Sequence, residues 1–197
     1  MSDRLTLSCW LRNFGPLSMI PQWEKLLGLF PFSKLSQRST VLRVYAVNLS
    51  EPVIFERAYA PPFDPAEAVA ISREFQHEDC AYQLECAWDL MELGEEDWQL
   101  APVNVSLWCF GPEFDNDTTD HVRVEFGLED TFLPSPDDDA SIRASHTNLR
   151  SLMRLVDQIS AKLPLERKHL WSESGINFAQ KLQAALAGEG PSGLVLQ

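Results

Sequence analysis

The sequence contains no long hydrophobic run. Its longest apolar stretches, such as residues 26–30, are far shorter than the roughly 20 residues that a membrane-spanning helix needs. Met1 is followed by Ser2, Asp3 and Arg4 and then by a strand-like pattern, which does not resemble a secretory signal. We therefore expect a cytoplasmic protein that does not bind a membrane.

Cysteine pairs with metal-binding or redox spacing are also absent. The four cysteines, Cys9, Cys80, Cys86 and Cys109, form no C-x-x-C pair, and each lies within an apolar strand pattern. This placement favours reduced thiols that act as small core hydrophobes. A disulfide or zinc framework is the less favoured alternative.

Sequence motifs of catalysis and cofactor binding are missing as well. The four histidines, His77, His121, His146 and His169, are in none of the spacings typical of metal sites. There is no G-x-S-x-G, G-K-[ST] or G-x-G-x-x-G motif, which argues against a nucleophile elbow, a P-loop or a dinucleotide site. We accordingly expect no cofactor and assign no catalytic residue.

What the chain does have is an uneven charge. Its 197 residues are 45% hydrophobic and 23% charged, as in an ordinary globular protein, and the formal net charge is −13. Residues 64–140 hold 21 acidic residues and only two basic ones, whereas residues 1–63 and 141–197 each carry a net charge of +3. The whole acidic excess therefore lies in the middle of the chain.

Two interpretations of this acidic stretch are open. It can form a solvated face that aids solubility. It can also form an electrostatic surface for a basic protein partner, in which case direct binding of nucleic acid is disfavoured because phosphates are repelled.

Hydrophobic periodicity predicts the fold class. Alternating residues predict strands over residues 5–12, 41–49, 53–59, 82–90, 103–110 and 122–128. Apolar stripes predict helices over about residues 21–30, 64–77, 141–163 and 174–187. The chain should thus be an α+β protein with a single, mostly antiparallel sheet of about six strands and about four helices.

The order of the first elements, β-α-β-β-α-β, suggests a ferredoxin-like unit with an added hairpin and two C-terminal helices. The length fits one domain, which we place over residues 1–187, and residues 188–197 are expected to be a C-terminal tail.

The loop over residues 113–121 partly resembles a calcium loop. Asp115, Asp117 and Thr119 fall at alternate positions, but Asp120 stands where an EF-hand needs glycine and Phe126 where it needs glutamate. A polar hairpin loop is the favoured interpretation, with a weak calcium or magnesium site as the alternative.

The second face of the predicted sheet carries two large aromatic residues among polar and acidic neighbours. A helix or the C-terminal tail covers Trp108 and Phe110 in one interpretation. In the other they form an exposed patch with a charged rim, as in a protein-binding hot spot. On this second hypothesis the partner-binding residues are Trp108, Phe110, Glu85, Asp89, Asp115, Asp117 and Asp120.

Three functions compete on these observations. The first is a non-enzymatic acidic module that binds a basic protein, of the kind represented by immunity-type inhibitors and nucleic-acid mimics. The second is a structural subunit of a larger assembly, in which a partner covers the sheet. The third is a metal-dependent enzyme in which Asp115, Asp117 and Asp120 converge with a histidine around a metal ion. We rank them in that order.

Overall fold

The computed structural model describes residues 3–95, 97–133, 139–173 and 178–186. Its centre is one seven-stranded sheet with the strand order β3-β2-β4-β5-β6-β1-β7, in which every pair of neighbours is antiparallel. The strands are β1 (Arg4–Leu11), β2 (Thr40–Ala46), β3 (Phe55–Tyr59), β4 (Cys80–Leu93), β5 (Trp98–Phe110), β6 (Val122–Leu128) and β7 (Leu165–Ser172).

The two faces of this sheet differ in what covers them. The helices are α1 (Pro16–Leu29), α2 (Pro65–Glu74), α3 (Asp139–Lys162) and α4 (Phe178–Leu186). All four contribute buried side chains to one core cluster with alternate strand residues such as Leu7, Leu84 and Val124. We call the sheet face that carries this cluster the core face and the opposite one the open face. The α+β class and the antiparallel sheet predicted from the periodicity are therefore confirmed.

The ferredoxin-like unit is not confirmed. β1 pairs with β6 and β7 at one side of the sheet, while β2 pairs with β3 and β4 at the other. The first four strands in the chain thus do not form the compact sheet of that unit. Strand order depends on contacts between distant segments, which local periodicity does not encode.

Besides β5, which begins at Trp98 rather than at residue 103, three elements differ from the prediction. The seventh strand, β7, was not predicted, because its exposed residues 166–169 are all charged or polar. α1 begins at Pro16 rather than near Pro21, with Gly15 as its N-cap. The β2–β3 connection is a long loop over residues 47–54 rather than a tight hairpin turn. The predicted tail, residues 188–197, lies outside the described residues.

Within the described part of the chain, no helix combines the length and apolar character needed to cross a lipid bilayer. The four cysteines are all buried and unpaired. Burial raises the pKa of the Cys9 thiol to about 12 and that of Cys80 to about 11, with nearby aspartates adding to both shifts. These thiols therefore act as core hydrophobes and are not ionised near neutral pH.

Candidate functional site

The two aromatic residues of the open face are buried rather than exposed. Trp108 is 7% exposed and Phe110 is 0% exposed. Their rings stack on each other with centroids 5.5 Å apart, and Phe114 from the following loop packs on Phe110 at 5.7 Å. The exposed patch considered for Trp108 and Phe110 is therefore absent, because Phe114 packs on Phe110 and Tyr45 of β2 packs on Trp108 with ring centroids 5.7 Å apart.

Asp120 is also buried, and its role is internal. The residue is 1% exposed, and its carboxylate accepts hydrogen bonds from Arg123 Nε at 2.9 Å and Arg123 Nη2 at 2.8 Å. The Arg123 guanidinium lies 4.7 Å from the centroid of the Phe110 ring. Burial lowers the pKa of Arg123, but the hydrogen bonds and charge of Asp120 outweigh it and raise the pKa overall. Asp120 thus fixes the Arg123 guanidinium over the Phe110 ring and is not part of a binding surface.

His121 lies beside this ion pair, and its environment favours the neutral ring. Its Nδ1 accepts a hydrogen bond from the Leu11 amide at 2.9 Å, and the ring stacks on Phe14 at 4.4 Å. Burial lowers the pKa of His121, although the nearby charges of Asp120 and Glu166 oppose this shift. The imidazole therefore has a structural role at the end of β1.

The metal site considered for residues 113–121 receives no support from the geometry. Asp120 is committed to Arg123, and Asp115 and Asp117 are exposed. Among the described residues, no group of three or more histidine, cysteine, aspartate or glutamate side chains is placed so that it could hold a metal ion.

Glu85 and Asp89 lie on the open face, away from the loop at 113–121. Glu85 forms an ion pair with Arg43 at 2.8 Å. Asp89 accepts hydrogen bonds from the Ser33 hydroxyl and, at 2.8 Å, from the Lys34 amide. The seven residues proposed from the sequence therefore do not form one site: three are buried, two belong to the middle of the open face, and Asp115 and Asp117 lie elsewhere on the surface.

The exposed carboxylates on and beside the β4–β5 hairpin lie at two ends of the sheet, while other acidic residues of the stretch lie on α2 and on the open face. The hairpin tip between β4 and β5 carries the exposed Glu92, Glu95 and Asp97, while residues 78 and 113–117 lie where β4 begins and β5 ends. The 14 residues of β4 separate the two groups by roughly 45 Å at about 3.3 Å per residue. The acidic stretch therefore does not form one continuous surface, because an antiparallel hairpin sends its tip and its base to opposite ends.

The base of the β4–β5 hairpin forms the denser of the two groups. Five exposed carboxylates lie there, and we call them the acidic end: Glu51, Glu78, Glu113, Asp115 and Asp117. Within the described ranges, no lysine or arginine forms an ion pair with any of them. Their charge is therefore available to a partner.

Exposed aliphatic side chains lie next to the acidic end. They belong to the β2–β3 loop, and we call them the aliphatic tip: Val47 (50% exposed), Leu49 (43%), Val53 (39%) and Ile54 (51%). The main chain connects the two groups directly, because the Val47 amide donates to the Asp79 carbonyl and the Asp115 amide donates to the Val47 carbonyl, both at 2.8 Å. An apolar patch with an acidic rim is thus present, at a different place from the one predicted.

The sequence contained a partial signal for this surface. Residues 47–54 hold four aliphatic residues in a stretch interrupted by Asn48, Ser50 and Pro52, which favours a loop over a strand. We predicted strands up to residue 49 and from residue 53 instead, so that these aliphatic residues were assigned to a sheet.

Comparison with known proteins adds no relationship to this picture. No family model matches the chain, and no curated protein or solved structure shows significant similarity to it.

Proposed function

We propose that the chain is a non-enzymatic binding module for a basic protein, acting in the cytoplasm, and that it uses the acidic end together with the aliphatic tip. The observation that carries this proposal is the proximity of four exposed aliphatic side chains to a rim of five carboxylates that no described lysine or arginine pairs with. Apolar burial would supply affinity, and the carboxylates would steer a basic partner and select its orientation. An immunity-type inhibitor or a nucleic-acid mimic is the class of protein that fits this chemistry.

The proposal is tested by comparing matched variants at the two ends of the β4–β5 hairpin. In the experiment, the purified chain is used as bait for basic proteins in its native cell extract at low salt, and the affinity of each purified partner is then measured by calorimetry. Glu113→Gln combined with Asp115→Asn should weaken binding about tenfold, since each exposed charge contributes up to about 1 kcal/mol. Glu95→Gln combined with Asp97→Asn removes the same charges at the far end and should leave affinity within about twofold.

The aliphatic contribution is tested separately. Ile54 and Leu100 have nearly equal exposure, 51% and 52%. Ile54→Ser should weaken binding about tenfold, because it removes an apolar contact at the proposed surface, whereas Leu100→Ser should not. Affinity should also fall steeply as salt rises. Equal effects of the matched variants, insensitivity to salt, or failure to retain any basic protein would each contradict the proposal.

A further inference from the structure

The open face contains a cleft that the proposed protein-binding surface does not use. Its volume is about 960 Å³, at the upper end of the range of ligand pockets, which is roughly 300–1,000 Å³. It lies over the middle strands, toward the end where β6 ends and β1 begins, and the loop over residues 32–40 forms one wall. The acidic end lies beyond the opposite ends of these strands.

The floor of the cleft is polar, and small residues at its centre leave room for a ligand. Glu85, Ser106 and Glu125 lie side by side on β4, β5 and β6. In the next row Asn104 faces Ala87, and a Cβ on Gly127 would lie 3.4 Å from the Asn104 carbonyl oxygen. Ala87 carries only a methyl group and Gly127 has no side chain, which leaves space beside Asn104. The floor therefore offers carboxylate, amide and hydroxyl groups to a ligand.

The wall of the cleft is anchored by the sheet. The Ser33 amide donates to the Ala87 carbonyl at 2.8 Å, and Asp89 accepts hydrogen bonds from the Ser33 hydroxyl and from the Lys34 amide. The Ser33 hydroxyl in turn accepts from the Ser36 amide at 2.9 Å. The wall is therefore part of the fold and needs no ligand to take its shape.

The rim carries three cations, Arg4, Lys34 and Arg38. All three are exposed, and none forms an ion pair with a carboxylate in the described ranges of the chain. The floor carboxylates, by contrast, contact arginines: Arg43 lies 2.8 Å from Glu85, and Arg123 lies 3.8 Å from Glu125. Among the described residues that line the cleft, positive charge without a carboxylate partner is thus confined to the rim.

From this arrangement we propose that the cleft binds a phosphorylated sugar, either a sugar phosphate or the ribose phosphate of a mononucleotide. The floor carboxylates, which only accept hydrogen bonds, suit the donor hydroxyls of a sugar. The phosphate group is placed at the rim, because the arginines and the lysine there have no carboxylate partner among the described residues and bind phosphate oxygens. An amine on the floor is disfavoured because Arg43 and Arg123 flank the two carboxylates.

The experiment is a titration of the full-length, isotope-labelled chain followed by its amide NMR signals. The probes are glucose 6-phosphate and adenosine 5′-monophosphate, and the comparison ligands are glucose, adenosine and inorganic phosphate. We expect at least one phosphorylated probe to saturate and to shift the amides of residues 33–40, 85–87, 104–106 and 125–127. Its phosphate-free counterpart and inorganic phosphate should each bind at least about tenfold more weakly, because each lacks one of the two recognised groups.

Matched variants link binding to the cleft. Arg38→Gln should weaken binding about tenfold through the loss of a charge-assisted hydrogen bond, whereas Arg73→Gln, the same change on α2, should have no effect. Ala87→Leu should abolish binding by filling the floor without removing a polar group. A free sugar or inorganic phosphate that binds as well as the probes overturns the ligand class. If the cleft amides do not shift, or if the two arginine variants have equal effects, the proposed position of the binding site is wrong. If Ala87→Leu does not fold, the comparison of Arg38→Gln with Arg73→Gln tests the site by itself.

Discussion

At the scale of single residues, the Asp120–Arg123 ion pair links the loop after β5 to the aromatic side chains of the open face. The carboxylate holds the Arg123 guanidinium, the guanidinium covers Phe110, and Phe114 completes the cover. The Thr118 hydroxyl also lies within hydrogen-bonding distance of both partners, 2.5 Å from Asp120 Oδ1 and 2.6 Å from Arg123 Nη2. Replacing both residues of a buried ion pair by apolar residues changes the free energy of unfolding little. Removing only one partner is costly, because the other charge stays buried without it.

We therefore predict that Asp120→Ala lowers the free energy of unfolding by about 3 kcal/mol, because the buried Arg123 loses two hydrogen bonds and keeps only the more distant Glu125 carboxylate, at 3.8 Å. Urea unfolding measures this change. The matched control is Asp117→Ala, which removes an exposed carboxylate from the same loop and should stay within about 0.5 kcal/mol of the wild type. In the double variant Asp120→Ala/Arg123→Met the loss should be smaller than for Asp120→Ala alone. A loss below about 1 kcal/mol for the single variant would show that the pair does not hold this face together.

At the scale of elements, two glycines show that the same substitution to alanine should change stability in opposite directions, depending on the atoms around it. Gly28 lies near the end of α1, and an added Cβ there meets nothing within 4 Å. Gly111 follows β5, and an added Cβ would lie 2.3 Å from the Glu78 carbonyl oxygen and 2.7 Å from that of Cys80. The chain can therefore turn back over the open face only if residue 111 has no side chain.

Gly28→Ala should accordingly raise the free energy of unfolding by about 0.5–1 kcal/mol, since alanine restricts the unfolded chain and favours the helix. Gly111→Ala should lower it by about 2–3 kcal/mol, because two backbone carbonyls must move apart. Thermal unfolding of the two variants beside the wild type measures both effects. Equal effects of the two substitutions would contradict the contact that we describe between residue 111 and the start of β4.

The elements that the sequence predicted well are those with a long, regular pattern. Most of β4 and all of β6 alternate between more and less buried residues because one face lies on the core, and the second half of α3 carries an apolar stripe. β7 lies at a sheet edge with residues 166–169 exposed, so that it lacks this signal. The cover over Phe110 depends on Phe114, a loop residue whose position follows from tertiary contacts. For the same reason the acidic end and the aliphatic tip could not be placed together from sequence alone.

At the scale of the whole molecule, the exposed carboxylates of the β4–β5 hairpin and its flanking loops form two groups at distant ends of the sheet. Carboxylates within one end repel each other, and this repulsion costs folding stability. The roughly 45 Å between the ends is much longer than the Debye length, which is about 10 Å at 0.1 M salt. The two ends should therefore act as independent electrostatic units.

This independence leads to a prediction about additivity. Glu113→Gln/Asp115→Asn and Glu95→Gln/Asp97→Asn should each raise the unfolding free energy at low salt by about 0.5 kcal/mol, because each relieves repulsion at one end. The variant with all four substitutions should show the sum of the two gains to within about 0.3–0.5 kcal/mol, as expected for distant sites. Urea unfolding at about 0.1 M salt measures all four chains, and added salt should reduce both gains. A combined gain well below the sum would mean that the ends interact, which the separation along β4 does not permit.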